Sequence, residues 1–389
     1  MGSNSRQTRR RRQRRQRQRL SKQHDRLAPC LDFEHVFGFK ALYEAARICR
    51  KGVMWKNTVI NFDKRRSLNC MRLSSELADG TYRKRKPIRF DIHERGKLRH
   101  ISAVSFRDRV VQRALCDNSL VPIVAGQLIY DNAASLPGRG TSFARRRFEL
   151  HLKQAARRWE HPYMAMFDCS NYFGSIDSSR AFRMISDRYR SLAFTPKEKR
   201  DVERILDIMR LFILDEPHLG LGNQTSQTMA IWYLNRADHW AESQGLYGRY
   251  MDDAYCFCED RDQAERVYRR YANILENLGL ELNPRKSRIL DCRTETMTFL
   301  KRDYEMRDGG TTVNMSSKAL RASRRHIRNL IRRYDGVNVD LHTLSMSWQS
   351  HRNVLTGLTN EHGMARLEAE WYRSHCAAHA VVFDPSGGG

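Results

Sequence analysis

The chain has 389 residues, 40% of them apolar, enough for a sizeable buried core and two or three subdomains. Its formal net charge of +26 sets up a field that concentrates polyanions, so a nucleic acid is the expected partner. No stretch approaches the ~18 uninterrupted apolar residues of a membrane span, and nine irregularly spaced cysteines without a secretory signal argue for a soluble protein in a reducing compartment.

Residues 1–26, "MGSNSRQTRRRRQRRQRQRLSKQHDR", hold eleven Lys or Arg against one Asp and show no apolar periodicity. Such an arm buries no core and is expected to stay disordered until it meets a polyanion. Residues 33–52, "FEHVFGFKALYEAARICRKG", place apolar side chains three and four apart and predict one helix ending near Gly52. Between 82 and 115 the pattern predicts two short strands across a turn at 94–97, then a helix opening near Phe106.

"YMAMFDCSNYFGSID" (163–177) reads as a buried strand ending in a carboxylate. Residues 196–213 have helical periodicity, and "HLGLGNQTSQTMAIWYLNRADHWAE" (218–242) is a Gly-rich loop running into a helix. A hairpin over 248–258 follows, then a helix at about 261–278, a turn and strand in "LGLELNPRKSRIL", and a hairpin near 297–313. Beyond 316 the chain turns helical and basic: Leu320, Ile327, Leu330 and Ile331 fit an inward face, while Arg321, Arg324, Arg325, Arg328, Arg332 and Arg333 fit an outward one. In "YCFC", Cys256 and Cys258 share one strand face and read as core residues rather than metal ligands.

The chemistry concentrates in three acids: Asp168 at the strand end, and Asp252 with Asp253 in the hairpin turn. If strand and hairpin are neighbours in one antiparallel sheet, these carboxylates converge at its rim, where their repulsion is costly unless cations lie between them. Two Mg²⁺ ions about 3.5 to 4 Å apart would satisfy that charge and serve nucleotidyl transfer. Asp is also a favoured turn residue, so the pair alone does not decide the matter.

"FDCSNYF", "LGNQTSQ", "YMDD" and "LGLELNPRKS" occur in the order and spacing of the palm motifs of reverse transcriptases, and the segments "RHISAVSFRDRVVQRAL" and "YDNAASLPGRGTSFA" resemble their fingers motifs. The likeness runs from about residue 35 to 310 and is nearest to the bacterial, non-retroviral kind related to group II intron, diversity-generating and antiphage-defence enzymes. It implies an α/β (α+β) right-hand polymerase: a disordered arm (1–26), fingers (27–160), a palm (161–315) on a split βαβ, RRM-like antiparallel sheet with helices over 178–213, and a helical thumb (316–385).

The resemblance implies roles residue by residue. Asp168 and Asp252 would be the metal ligands, with Asp253 the supporting carboxylate and Mg²⁺ replaceable by Mn²⁺. Phe173 falls where the family places an aromatic gate beneath the incoming sugar. Leu221, Gly222, Ser226 and Gln227 of "LGNQTSQ" match the form associated with diversity-generating enzymes, which are error-prone opposite template adenine. Lys286 sits where the family has a lysine able to protonate the departing pyrophosphate. Lys97, Arg99 and Arg139 are candidates for gripping the triphosphate, a task suited to charge-assisted hydrogen bonds, although "LPGRGT" departs from the basic spelling of relatives.

"TFLKRDYEM" (298–306) takes the place of the primer-grip hairpin without its usual Leu-Gly pair. Arg321, Arg324, Arg325 and Arg328 match the thumb in position only and are candidates for tracking a duplex backbone. Expected partners are a structured template or non-coding RNA, cDNA, dNTPs and a small basic accessory protein, in the cytoplasm of a bacterium or from a phage. Two other readings stand beside the diversity-generating one: a defence enzyme making DNA from its own non-coding RNA, and a non-catalytic RNA-binding splicing or packaging cofactor.

Overall fold

The structure is a computed structural model and describes residues 24–94, 97–220, 222–307, 310–333, 339–355 and 369. Residues 1–23 of the arm and the C-terminal segment beyond 369 lie outside the described residues, while the arm's last three residues, expected to be disordered, form a helical turn in which His24 Nε2 lies 2.9 Å from Glu198 Oε1.

The N-terminal part is mostly helical. Phe33–Phe37 and α1 (Phe39–Cys49) are two helices where periodicity predicts one. The break falls at Gly38, whose extended backbone leaves the helix; a Cβ there would lie 2.4 Å from the Glu34 carbonyl oxygen. α2 (Arg66–Ala78) packs on α1. The antiparallel hairpin β1 (Ile88–Glu94) and β2 (Lys97–Ala103) forms where expected, and Ser105 caps α3 (Phe106–Leu115) by accepting from the Asp108 amide. The long helix α4 (Thr141–Arg158) then leads to β3 (Tyr163–Asp168).

After β3 come α5 (Ser178–Leu192) and α6 (Pro196–Ile213), the latter started by Pro196 at its first turn and by a capping box between Thr195 and Glu198. α7 (Gln224–Tyr233) and α8 (Asn235–Glu242) precede β4 (Leu246–Tyr250) and β5 (Asp253–Cys258). α9 (Arg261–Asn277), capped by Asp260, returns the chain to β6 (Arg288–Asp291). In the predicted turn and strand near 279–290, Leu282 makes only an isolated bridge to Cys169 before β6 begins. The hairpin expected near 297–313 is a three-stranded meander: β7 (Met297–Phe299), β8 (Arg302–Arg307) and β9 (Gly310–Met315). α10 (Ser317–Arg332) and α11 (Leu341–Leu355) pack together at the end.

The central sheet has strand order β4-β5-β3-β6 with every ladder antiparallel. β5 and β6 both run against β3, so they are parallel to each other and joined by α9, which is a split βαβ unit. Strand alternation divides the core in two. Ala165, Phe167, Cys256 and Cys258 face the larger cluster, where Phe167 lies 4.2 Å from Tyr271 of α9 between ring centroids. Met164, Tyr255 and Phe257 face the other side, against Phe148 of α4 and Phe299 and Tyr304 of the meander. Both faces are therefore packed, which suits the sheet to fix whatever projects from its end. The eight cysteines among the described residues are buried free thiols. No helix among the described residues is long and apolar enough to cross a membrane.

Candidate active site

The β3–β5 ladder sets the first relationship at the site. Asp168 is the last residue of β3 and pairs in register with Asp253, the first residue of β5. Tyr250 pairs with the same Asp253 across the β4–β5 hairpin, leaving Met251 and Asp252 as a two-residue turn. Such turns require a left-handed backbone at a central position. Met251 supplies it at φ +57°, an uncommon conformation for a residue with a side chain.

One carboxylate oxygen from each of Asp168, Asp252 and Asp253 lies within 4.8 Å of the others. Asp168 is buried and the other two are half-buried. Burial, then the charges of Asp252 and Asp168, push the Asp253 carboxyl up to about 7. Three hard oxygen donors whose mutual repulsion is relieved by positive charge form a set that fits Mg²⁺ or a similar divalent cation.

Asp168 is held from both sides of its backbone. Its amide donates to Ser287 Oγ at 3.0 Å, the same hydroxyl donates to its carbonyl at 3.2 Å, and the Asn283 amide donates to that carbonyl at 2.7 Å. Lys286, in the same "NPRKS" turn, puts Nζ 2.5 Å from Asp168 Oδ2 and is half-exposed. Burial disfavours its ammonium, but the hydrogen bond and charge of Asp168, with Asp253 and Asp252 behind it, raise its pKa.

A cleft of about 690 Å³ is lined by two of these acids, Asp168 and Asp253. Lys286 and Arg288 line it as well, together with Leu300 and Lys301 of the β7–β8 turn. Both turn residues have positive φ, +46° and +69°, and buried Arg145 of α4 holds the turn through Leu300, donating to its carbonyl from Nε at 3.2 Å and Nη2 at 2.7 Å. That pair of left-handed residues makes the tight turn without the glycine expected there.

The other sequence-predicted residues are more scattered. Phe173 is half-buried in the short helix Tyr172–Ser175, edge-on to Tyr172 at 5.9 Å between centroids. Gly222 adopts φ +106° against β2: a Cβ there would lie 3.2 Å from the Ser102 carbonyl oxygen. Ser226 is buried and Gln227 exposed in the first turn of α7, while Leu221 lies outside the described residues. Lys97 and Arg99 occupy β2 opposite Glu94 and Ile92, and their side chains lie outside the description.

Arg139 points elsewhere. Its Nη1 donates to the carbonyls of Tyr130 at 2.7 Å and Asn132 at 2.6 Å, and the guanidinium lies over the Tyr130 and Phe143 rings. On α10, Arg321, Arg325 and Arg328 are exposed and Arg324 half-buried, while Ile327 is buried beside Met315 with Leu320 and Ile331 packed on it.

Sequence reasoning missed Ser287, Arg145 and, above all, Arg249 with Asp238, a fully buried ion pair directly behind the aspartate turn. The available signal was a charged residue, Arg249, in a strand otherwise apolar.

A covered antiparallel sheet with a split βαβ unit and three acids at its rim defines the palm of a right-hand polymerase. The protein belongs to the reverse transcriptase (RNA-dependent DNA polymerase) family, whose pattern matches residues 83–301, more than half of the chain. Among solved structures, telomerase from Candida albicans, in complex with a fragment of telomeric RNA, is similar at 10% identity with a TM-score of 0.45. That match covers 74% of this chain and spans 55% of the telomerase chain. No curated protein matches.

Proposed function

We propose that the protein extends a primer 3′-end with deoxynucleotides along a structured RNA template, with Asp168 and Asp252 holding two Mg²⁺ ions and Asp253 supporting them. The observation that carries this reading is the convergence of the three carboxylates within 4.8 Å, two of them, Asp168 and Asp253, lining the cleft. Bound there, divalent cations supply activation of the attacking hydroxyl and stabilisation of the leaving phosphate oxygen.

The chain's own residues do the rest. The Asp168 backbone is fixed by Ser287 and Asn283, so its carboxylate is pre-positioned rather than recruited. Lys286 supplies positive charge beside Asp168 and, being half-exposed, can turn toward the pyrophosphate and give it a proton. The Phe173 ring excludes a ribose 2′-hydroxyl by contact, and Gly222 lets backbone approach the nascent pair closely. From the resemblance, Lys97 and Arg99 of the fingers strand are the candidates for gripping the triphosphate, and the arginines of α10 for tracking the duplex.

Within the family, the spelling "LGNQTSQ" supports the diversity-generating kind, error-prone and dedicated to one RNA with a small basic accessory protein. An apolar Leu221 removes a polar contact that would police the base pair.

Primer extension with Mg²⁺, dNTPs and co-purified RNA tests the activity. Incorporation abolished by Asp252→Ala is expected; RNA binding without incorporation, unchanged by that substitution, would favour a non-catalytic RNA cofactor. Deep sequencing of the cDNA tests the subtype, with errors concentrated opposite adenine expected. A faithful or untemplated repetitive product would favour the defence reading.

A further inference from the structure

Arg249 heads the fully buried side chains of the described residues by volume, an unusual place for a guanidinium. Every arm of it is used. Nε and Nη2 donate to the two carboxylate oxygens of Asp238 at 2.7 and 2.6 Å, and Nη2 also donates to the Ile231 carbonyl at 2.8 Å. Nη1 donates to the Met251 carbonyl at 2.9 Å. Asp238 is buried as completely and accepts further from the Tyr247 hydroxyl at 2.8 Å. The Arg249 backbone is pinned as well: its amide donates to the Asp131 carbonyl at 3.0 Å and its carbonyl accepts from the Ala133 amide at 2.9 Å.

A buried ion pair is a weak source of stability, because desolvation offsets most of the attraction and an apolar pair of similar volume often does as well. Its contribution here is better sought in geometry. The Met251 carbonyl belongs to the peptide that joins the left-handed residue of the turn to Asp252. A strained non-glycine conformation persists only where its surroundings over-determine it, and Nη1 of Arg249 holds this peptide by its carbonyl. Were that peptide free to rotate, Asp252 would lose its fixed direction toward Asp168.

We propose that the buried Arg249–Asp238 pair positions the aspartate turn: by gripping the Met251 carbonyl from behind the sheet it sets where Asp252 and Asp253 meet Asp168. The pair is fully buried and acts through the turn, by the bond to the Met251 carbonyl. This inference rests on the two-cation reading above and names the device that builds that site.

The test uses the double variant Asp238→Leu/Arg249→Met, which keeps the core filled but drops the bond to Met251, alongside Arg249→Lys, which keeps the charge but lacks the fork that reaches Asp238 and Met251 together. Mn²⁺ binding to the full-length protein is followed by electron paramagnetic resonance, with unfolding transitions recorded for every variant. The folded double variant is expected to bind Mn²⁺ at least tenfold more weakly and to need a correspondingly higher Mg²⁺ concentration for half-maximal incorporation, while its KM for the primer–template stays within twofold of wild type. Arg249→Lys is expected to shift in the same direction by a smaller factor, and it decides the question if the double variant does not fold.

Wild-type Mn²⁺ affinity and an unchanged Mg²⁺ midpoint in a folded variant would overturn the proposal and leave the two-cation reading intact. Wild-type protein that binds no Mn²⁺ would overturn both.

Discussion

Asp168 and Asp253 stand directly opposite each other across the β3–β5 ladder, the last residue of one strand against the first of the next, so their carboxylates share the sheet's rim. A one-residue slip of β5 would move Asp253 to the opposite face from Asp168. The site is thus a property of strand pairing, and what protects the pairing protects the chemistry.

Replacing either proposed ligand by its amide keeps the shape and removes the charge. Asp168→Asn and Asp252→Asn are each expected to lower incorporation by about a thousandfold or more, since loss of cation-borne charge stabilisation is worth several kcal/mol. Single-turnover kinetics at saturating primer–template check it, and residual activity within tenfold of wild type would remove the residue from the ligand set.

On the proposed role of Phe173 as the gate beneath the incoming sugar, Phe173→Ala removes that gate. Discrimination against ribonucleotides, measured as the ratio of kcat/KM values for a dNTP and its rNTP, is expected to fall by at least about tenfold. An unchanged ratio would make Phe173 a packing residue beside Tyr172 only.

Gly222→Ala forces a Cβ onto a backbone at φ +106° and to within 3.2 Å of the Ser102 carbonyl oxygen. The expected cost is about 1–3 kcal/mol of local strain, felt where the loop meets the β1–β2 hairpin. A raised KM for dNTP with a small change in Tm is the expected outcome.

Behind the sheet, Phe148 is fully buried and stacks on Phe299 at 4.9 Å while meeting Tyr255 edge-on at 4.7 Å. Phe148→Ala is expected to lower stability by about 3–5 kcal/mol, read from denaturant or thermal unfolding. A loss below 1 kcal/mol would show that α4 is not integral to this core.

What the sequence revealed divides by range. The strand ending at Asp168, the hairpin around 251–252 and the helices 196–213 and 261–277 were legible because each is written in local periodicity, caps and turn residues. The break at Gly38 was not, because its cause is backbone geometry against Glu34 rather than pattern. The hairpin expected near 297–313 reaches into β9, but the split into three strands was not legible, because it is fixed by the pairing of β8 with both neighbours.

At the site, the identities of the three acids were readable while their supports were not. Ser287, Arg145 and Asp238 act from other elements, and contacts between distant segments leave no periodic trace. Arg139 illustrates the converse: a basic residue in a suggestive position whose guanidinium is committed to the 130–132 loop carbonyls.

The most direct measurement of the central claim is anomalous diffraction from crystals of the protein with primer, RNA template, a non-reacting dNTP analogue and Mn²⁺. Two anomalous peaks about 3.5 to 4 Å apart, in contact with Asp168 and Asp252, are the predicted result. Well-ordered nucleotide with no peak at either carboxylate would contradict the account.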